Sequence, residues 1–177
     1  MNNEDNCKTI DMHCDTLMRA YFRDKDDLFT CPEFDLDISR MIESGMMAQF
    51  FAIFVPSAKE YAHYEKEYKG DDEYIDKCAS IINHTVQKHT DVLAKATSAK
   101  EILDNYASYK VSAILTMEDG VAVQGDMKKL DYFHSLGVRA LSLTWNYENC
   151  FGYPNSKDPE IMQKGLKDFG KEAVKHM

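Results

Sequence analysis

With 177 residues, 44% of them hydrophobic, the chain can bury a core and fits a single domain over residues 1–177. A net charge of -9, with no Lys/Arg run longer than a dipeptide, argues against nucleic-acid and anionic-membrane partners, because such a surface repels phosphate. No apolar run reaches the roughly 18 residues of a membrane span, the start Met-Asn-Asn-Glu-Asp-Asn lacks a secretion signal, and five scattered cysteines form no C-x-x-C pair. A soluble cytoplasmic protein without a disulfide frame is expected.

Residues 9–13 read as a strand entering the protein, with His13-Cys14-Asp15 at its end. On a strand, residues i and i+2 share a side, so the imidazole of His13 and the carboxylate of Asp15 would enter one cavity. Such a pair is a common beginning for a transition-metal site. The same spacing recurs at His89-Thr90-Asp91, but there it closes a long helical pattern, where a polar helix end is expected.

Residues 36–43 form a helical pattern stopped by Ser44-Gly45, and residues 47–55 are almost continuously apolar, as a strand covered on both faces should be. The charged, tyrosine-rich stretch 61–68 shows no clean stripe and reads as solvated helix or loop. Gly70-Asp71-Asp72 opens a helix with Ile75, Cys78, Ala79 and Ile82 on one face. A further helix, 99–109, follows Ser98, and residues 111–117 form the third strand. Glu118-Asp119-Gly120 then stands at a strand's carboxyl end, where ligands gather in parallel α/β proteins. Taken alone, it reads first as an acidic turn in which Gly supplies a positive φ.

Asp126 is expected to cap a helix carrying Met127, Leu130 and Phe133 inward and closed by Gly137, ahead of a fourth strand at 138–144. Trp145 and two amides, Asn146 and Asn149, leave that strand beside the candidate metal groups, either lining a substrate pocket or, for the lone Trp, simply packing. Residues 159–177 read as one helix that should feed another strand. The chain ends where that strand is expected, so a sequence of the usual length for this fold looks cut or split.

Strand and helix alternate as in a parallel sheet, so the fold class is α/β; the pattern leaves barrel and open sheet both open. No Gly-rich nucleotide motif follows a strand, and no G-x-S-x-G occurs. Cys14 would face away from His13 and is expected to be packed rather than reactive. His63, His84, His134 and His176 read as surface or structural residues.

Four strings in order resemble the renal or membrane dipeptidase family, the M19 metallopeptidases among the amidohydrolase-like (β/α)8 barrels. They are Ile10-Asp11-Met12-His13-Cys14-Asp15, Gln49-Phe50-Phe51-Ala52, Met117-Glu118-Asp119-Gly120, and the run 137–146 ending in Leu143-Thr144-Trp145-Asn146. The resemblance implies the first half, about four strands, of a TIM-type barrel. It implies a two-zinc dipeptidase in which His13 and Asp15 bind one metal and Glu118 bridges both. It also implies dipeptide substrates, with a D-residue accepted at the carboxyl-terminal side.

Two later histidines and a proton-handling Asp of the family have no counterpart before Met177, so no catalytic acid or base is identified here. A substrate-polarising His of some members aligns with Trp145. The chain alone is therefore expected to hold at most one zinc, to be inactive, and to homo-oligomerise or to require a missing carboxyl-terminal half. The alternative reading is a non-catalytic binding or assembly module that retains the fold.

Overall fold

The computed structural model describes residues 8–177; the leading segment, with Cys7 and the reading that no secretion signal is present, lies outside the described residues. The first half of the chain runs β1 (Ile10–Asp11), α1 (Thr16–Phe22), α2 (Ile38–Glu43), β2 (Ala48–Phe54), α3 (Ala58–His63) and α4 (Asp71–Lys88). There follow β3 (Leu93–Lys95), α5 (Ala99–Ala107), β4 (Val111–Glu118), a 3-10 turn at Gly120–Val123, α6 (Met127–Leu136), β5 (Val138–Leu141), α7 (Pro159–Met162) and α8 (Asp168–His176). Among the described residues no helix is long and apolar enough to cross a membrane.

Every strand pairing in the sheet is parallel. β4 is the central strand: β2 lies along one edge in unbroken register, from Ala48 opposite Ser112 to Phe54 opposite Glu118. On the other edge β3 covers the start of β4 and β5 covers its end. The four expected strands are thus present in the order β1, β2, β4, β5. The addition is β3, whose three residues are too few to show a period.

Alternation along β2 sends Phe51 and Ile53 toward the helices, where they join Leu17, Ile75, Cys78 and Leu115 in the main core. Ala48 and Ile114 lie in a second cluster, packed by Ile102 and Tyr106 of α5. Cover on both faces is why these strands are apolar without a break.

Three expectations change. The first strand is only two residues long. Residues 61–68 are not simply solvated: Tyr61 ends buried at 4% exposure in an aromatic cluster with Tyr21, Phe22 and Tyr68. The segment 159–177 is two helices, because Leu166 pairs antiparallel with Gly152 and Lys167 N donates to Phe151 O at 2.8 Å, which interrupts the helical ladder. Gly170 lets α8 lie against this strap, since a Cβ there would overlap the backbone carbonyl of Phe151.

The corner before β2 is set by Asp37. Its carboxylate caps α2 at Arg40 N (3.0 Å), accepts from Cys31 N (3.0 Å) and Ser39 Oγ (2.9 Å), and pairs with the Arg40 guanidinium at 3.0 Å. Burial works to raise this carboxyl, but Arg40 and the other donors outweigh it and hold it at about 2, against an ordinary 3.8. A depressed pKa stabilises the fold fully above the unfolded value and is lost as pH falls from about 4 toward 2. Asp37→Asn is therefore expected to cost on the order of 2 kcal/mol at neutral pH. Urea denaturation across that pH window should show the gap to the unsubstituted chain closing.

Candidate metal centre

His13 and Asp15 lie beyond the end of β1, in a turn rather than on a strand. The chain still follows β2, since Ala52 N donates to Cys14 O at 3.0 Å. The His13 N–H, however, donates to Asp11 Oδ1 at 3.1 Å, a local side-chain bond that replaces the ladder. Strand alternation is thus not what brings the pair together. Asp15 occupies the N-cap of α1 with φ -93°, yet its carboxylate makes no capping bond and turns to His13 instead.

Glu118 arrives from the end of β4. His13 Nε2 lies 3.3 Å from Asp15 Oδ1 and 3.4 Å from Glu118 Oε2. Among the described residues, this is the one group of three His, Cys, Asp or Glu side chains whose donor atoms all lie within 4.8 Å of one another. Ligand atoms bound tetrahedrally at about 2.0–2.2 Å from a zinc ion stand roughly 3.3–3.6 Å apart. The His13 separations match that edge without any movement. Burial, then the neighbouring Asp15 and Asp119 carboxylates, raise the Glu118 carboxyl, with His13 opposing them. A divalent cation among these groups would relieve that repulsion.

The turn after Glu118 differs from the expected one. The positive φ falls on Asp119 (φ 67°, ψ 119°), not on Gly120. Gly120 is required for a different reason: a Cβ there would overlap the ring of Phe151. Asp119 is held by Val121 N (3.1 Å) and Asn149 Nδ2 (2.7 Å) on its carboxylate and by Ser142 Oγ (2.8 Å) on its amide. Asn149, expected beside the site as a pocket amide, is thirty residues from Asp119, and no local signal marks its bond to that carboxylate.

Trp145 is 44% exposed and meets Phe54 edge-on at 5.0 Å. Phe54 is the register partner of Glu118, so the indole packs on the residue opposite that carboxylate in the sheet. Asn146 is exposed in the same loop. Cys14 packs against the core, and burial pushes its thiol up to about 11, despite a bond to Thr16. His89 is elsewhere: it stacks on Phe29 at 4.1 Å and meets both Asp27 oxygens at 3.1 Å, while Asp91 is exposed. His84 and His176 pair with Asp26 and Asp131.

Comparison with known proteins identifies the family. The chain is 28% identical over 163 residues to dipeptidase aclJ of Aspergillus oryzae, covering 89% of this chain and 36% of that one. It superposes on a metallo peptidase of Rhodobacter sphaeroides, solved with a phosphinate mimic of the dipeptide L-Ala-D-Ala, with TM-score 0.73 and 27% identity over 97% of this chain and 56% of that one. For dipeptidase AC, a metallo peptidase of family M19, the values are 0.72, 25%, 97% and 55%. The chain therefore spans about half the length of these relatives or less. Its parallel sheet corresponds to that share of the dipeptidase TIM-type barrel. The membrane dipeptidase description, peptidase family M19, matches residues 4–177, and with that span nearly the whole chain belongs to the M19 family.

Proposed function

We propose that residues 1–177 form one unit, the amino-terminal, metal-binding part of a cytoplasmic zinc-dependent dipeptidase. His13 and Asp15 would hold one zinc, and Glu118 would bridge to a second. The observation that carries this reading is the pair of separations from His13 Nε2, 3.3 and 3.4 Å, which fit one tetrahedral ion.

Zinc bound there would supply an activated water and polarise the scissile carbonyl. The chain's own residues do the rest of the work on this side of the site. Asp15 and Glu118 provide negative charge, and His13 a neutral nitrogen donor. Trp145 and Asn146 flank the approach, where the indole, braced by Phe54, would offer a flat face to a dipeptide side chain. With an indole in place of a polarising imidazole, Trp145 would hold the substrate through its flat face, and the substrate range would differ from that of members with the imidazole. Acceptance of a D-residue at the carboxyl-terminal side is supported by the L-Ala-D-Ala mimic bound by the Rhodobacter relative.

Among the described residues three donors do not complete a two-metal site, so the remaining ligands come from outside this segment, from a partner copy or from the carboxyl-terminal half that the relatives have. The test is metal analysis together with L-Ala-D-Ala hydrolysis by the purified 177-residue chain. At most one zinc per chain and no turnover are expected. Robust turnover by a strictly monomeric chain would refute the inactive-half reading.

A further inference from the structure

The ladder between β4 and β5 ends at Met117, whose carbonyl accepts from Ser142 N at 3.0 Å. Glu118, one residue later, is steadied on that side only through the turn behind it. That turn rests on Asp119, which is 7% exposed and has a φ that a non-glycine residue keeps only when its surroundings fix it. Val121 N and Ser142 Oγ help to fix it, and the bond with the longest reach along the chain comes from one side-chain amide. Asn149 Nδ2 donates to Asp119 Oδ1 and to Leu143 O, both at 2.7 Å, and Asn149 Oδ1 accepts from Phe151 N at 2.8 Å.

We propose that Asn149 is a positioning residue for the metal centre: its amide locks the Asp119 turn and so sets where the Glu118 carboxylate meets His13. The proposal rests on the metal reading of His13, Asp15 and Glu118. The same amide grips Leu143, two residues before Trp145, so metal ligand and substrate loop share one anchor. Lys167 adds a second tie. Its Nζ donates to Asn149 O at 2.7 Å and pairs with Glu148 at 2.6 Å, fastening the loop to the segment that opens α8.

The role depends on donation. Both partners of Nδ2 are acceptors, so a carboxylate at position 149 would face two oxygens with nothing to give, while still serving Phe151 N. Removing partners that orient metal ligands typically weakens metal affinity by about 10–100-fold.

The experiment measures zinc affinity by competition titration, and the visible spectrum of the cobalt(II)-loaded form, on the full 177-residue chain. Asn149→Asp should bind zinc at least about tenfold more weakly and shift the cobalt bands. Asp119→Gly cuts the same tie while adopting the positive φ freely, so it retains the fold and should weaken zinc similarly. Asp37→Asn, which loosens a different corner, should leave zinc affinity and the cobalt spectrum unchanged. Unaltered zinc affinity and cobalt bands in Asn149→Asp or Asp119→Gly, with Glu118→Ala impaired, would overturn the positioning role alone. Absence of zinc binding by the unsubstituted chain would overturn the metal reading and this proposal with it.

Discussion

Phe151→Ala is expected to lower the stability of the chain by about 3–5 kcal/mol, and its thermal midpoint by roughly 10 °C. The ring is fully buried, packs edge-on against Phe169 at 5.5 Å, and fills the space that Gly120 leaves by lacking a Cβ. On its other side, α8 comes so close at Gly170 that no side chain fits. Truncation would leave a cavity between the turn after β4 and the last helix, with neither wall free to collapse, since the turn is tied to the Asn149 side chain through Asp119 and the helix to Phe151 O through Lys167 N. Domains of this kind have only about 5–15 kcal/mol to lose. Calorimetry or urea titration measures the loss; a change below about 0.5 kcal/mol, the size of a surface substitution, would show that the ring does not hold these elements together.

His13→Ala is expected to weaken zinc binding by roughly two orders of magnitude. Four-ligand structural zinc sites bind with about 10–16 kcal/mol, so one ligand is worth on the order of 3 kcal/mol. Of the three donors, His13 is the one within 3.4 Å of both others, and its loss leaves two carboxylates that only repel. Glu118→Ala should cost a similar amount. The double substitution should cost less than the sum, because a single remaining ligand is near the floor of measurable affinity. His89→Ala should leave zinc binding intact and lower stability instead, because His89 is spent on Asp27 and Phe29. A chain in which His89→Ala abolished zinc binding and His13→Ala did not would place the metal at the wrong His-x-Asp.

Much of the scaffold was legible in the sequence because its signals are local. β2 and β4 announce themselves as unbroken apolar runs, and Asp126 and Gly137 bracket α6 as a capping aspartate and a left-handed stop at φ 105°. The class of the fold follows from that alternation. The three candidate donors were legible as strand-end residues, but the reason they meet was not. The His13–Asp15 juxtaposition comes from a turn in which the Asp11 side chain captures an amide, and no period of two describes it.

The remaining gaps are tertiary. An Asp before a Gly gives no sign that the Asp, rather than the Gly, will take the positive φ; Asn149 and Ser142 decide that from far along the chain. The break between α7 and α8 depends on a bridge from Leu166 back to Gly152, which helical periodicity cannot foresee. Tyr61 looked solvated among charges because its partners, Tyr21 and Phe22, lie forty residues earlier.

In the proposed centre, His13, Asp15 and Glu118 together hold one divalent metal. X-ray absorption at the zinc edge of the zinc-loaded chain tests it most directly, because it reports the ligand atoms themselves. Nitrogen and oxygen scatterers at about 2.0–2.2 Å, no sulfur near 2.3 Å, and loss of the ordered shell in His13→Ala are expected. A sulfur-containing shell, or one unchanged by His13→Ala, would contradict it.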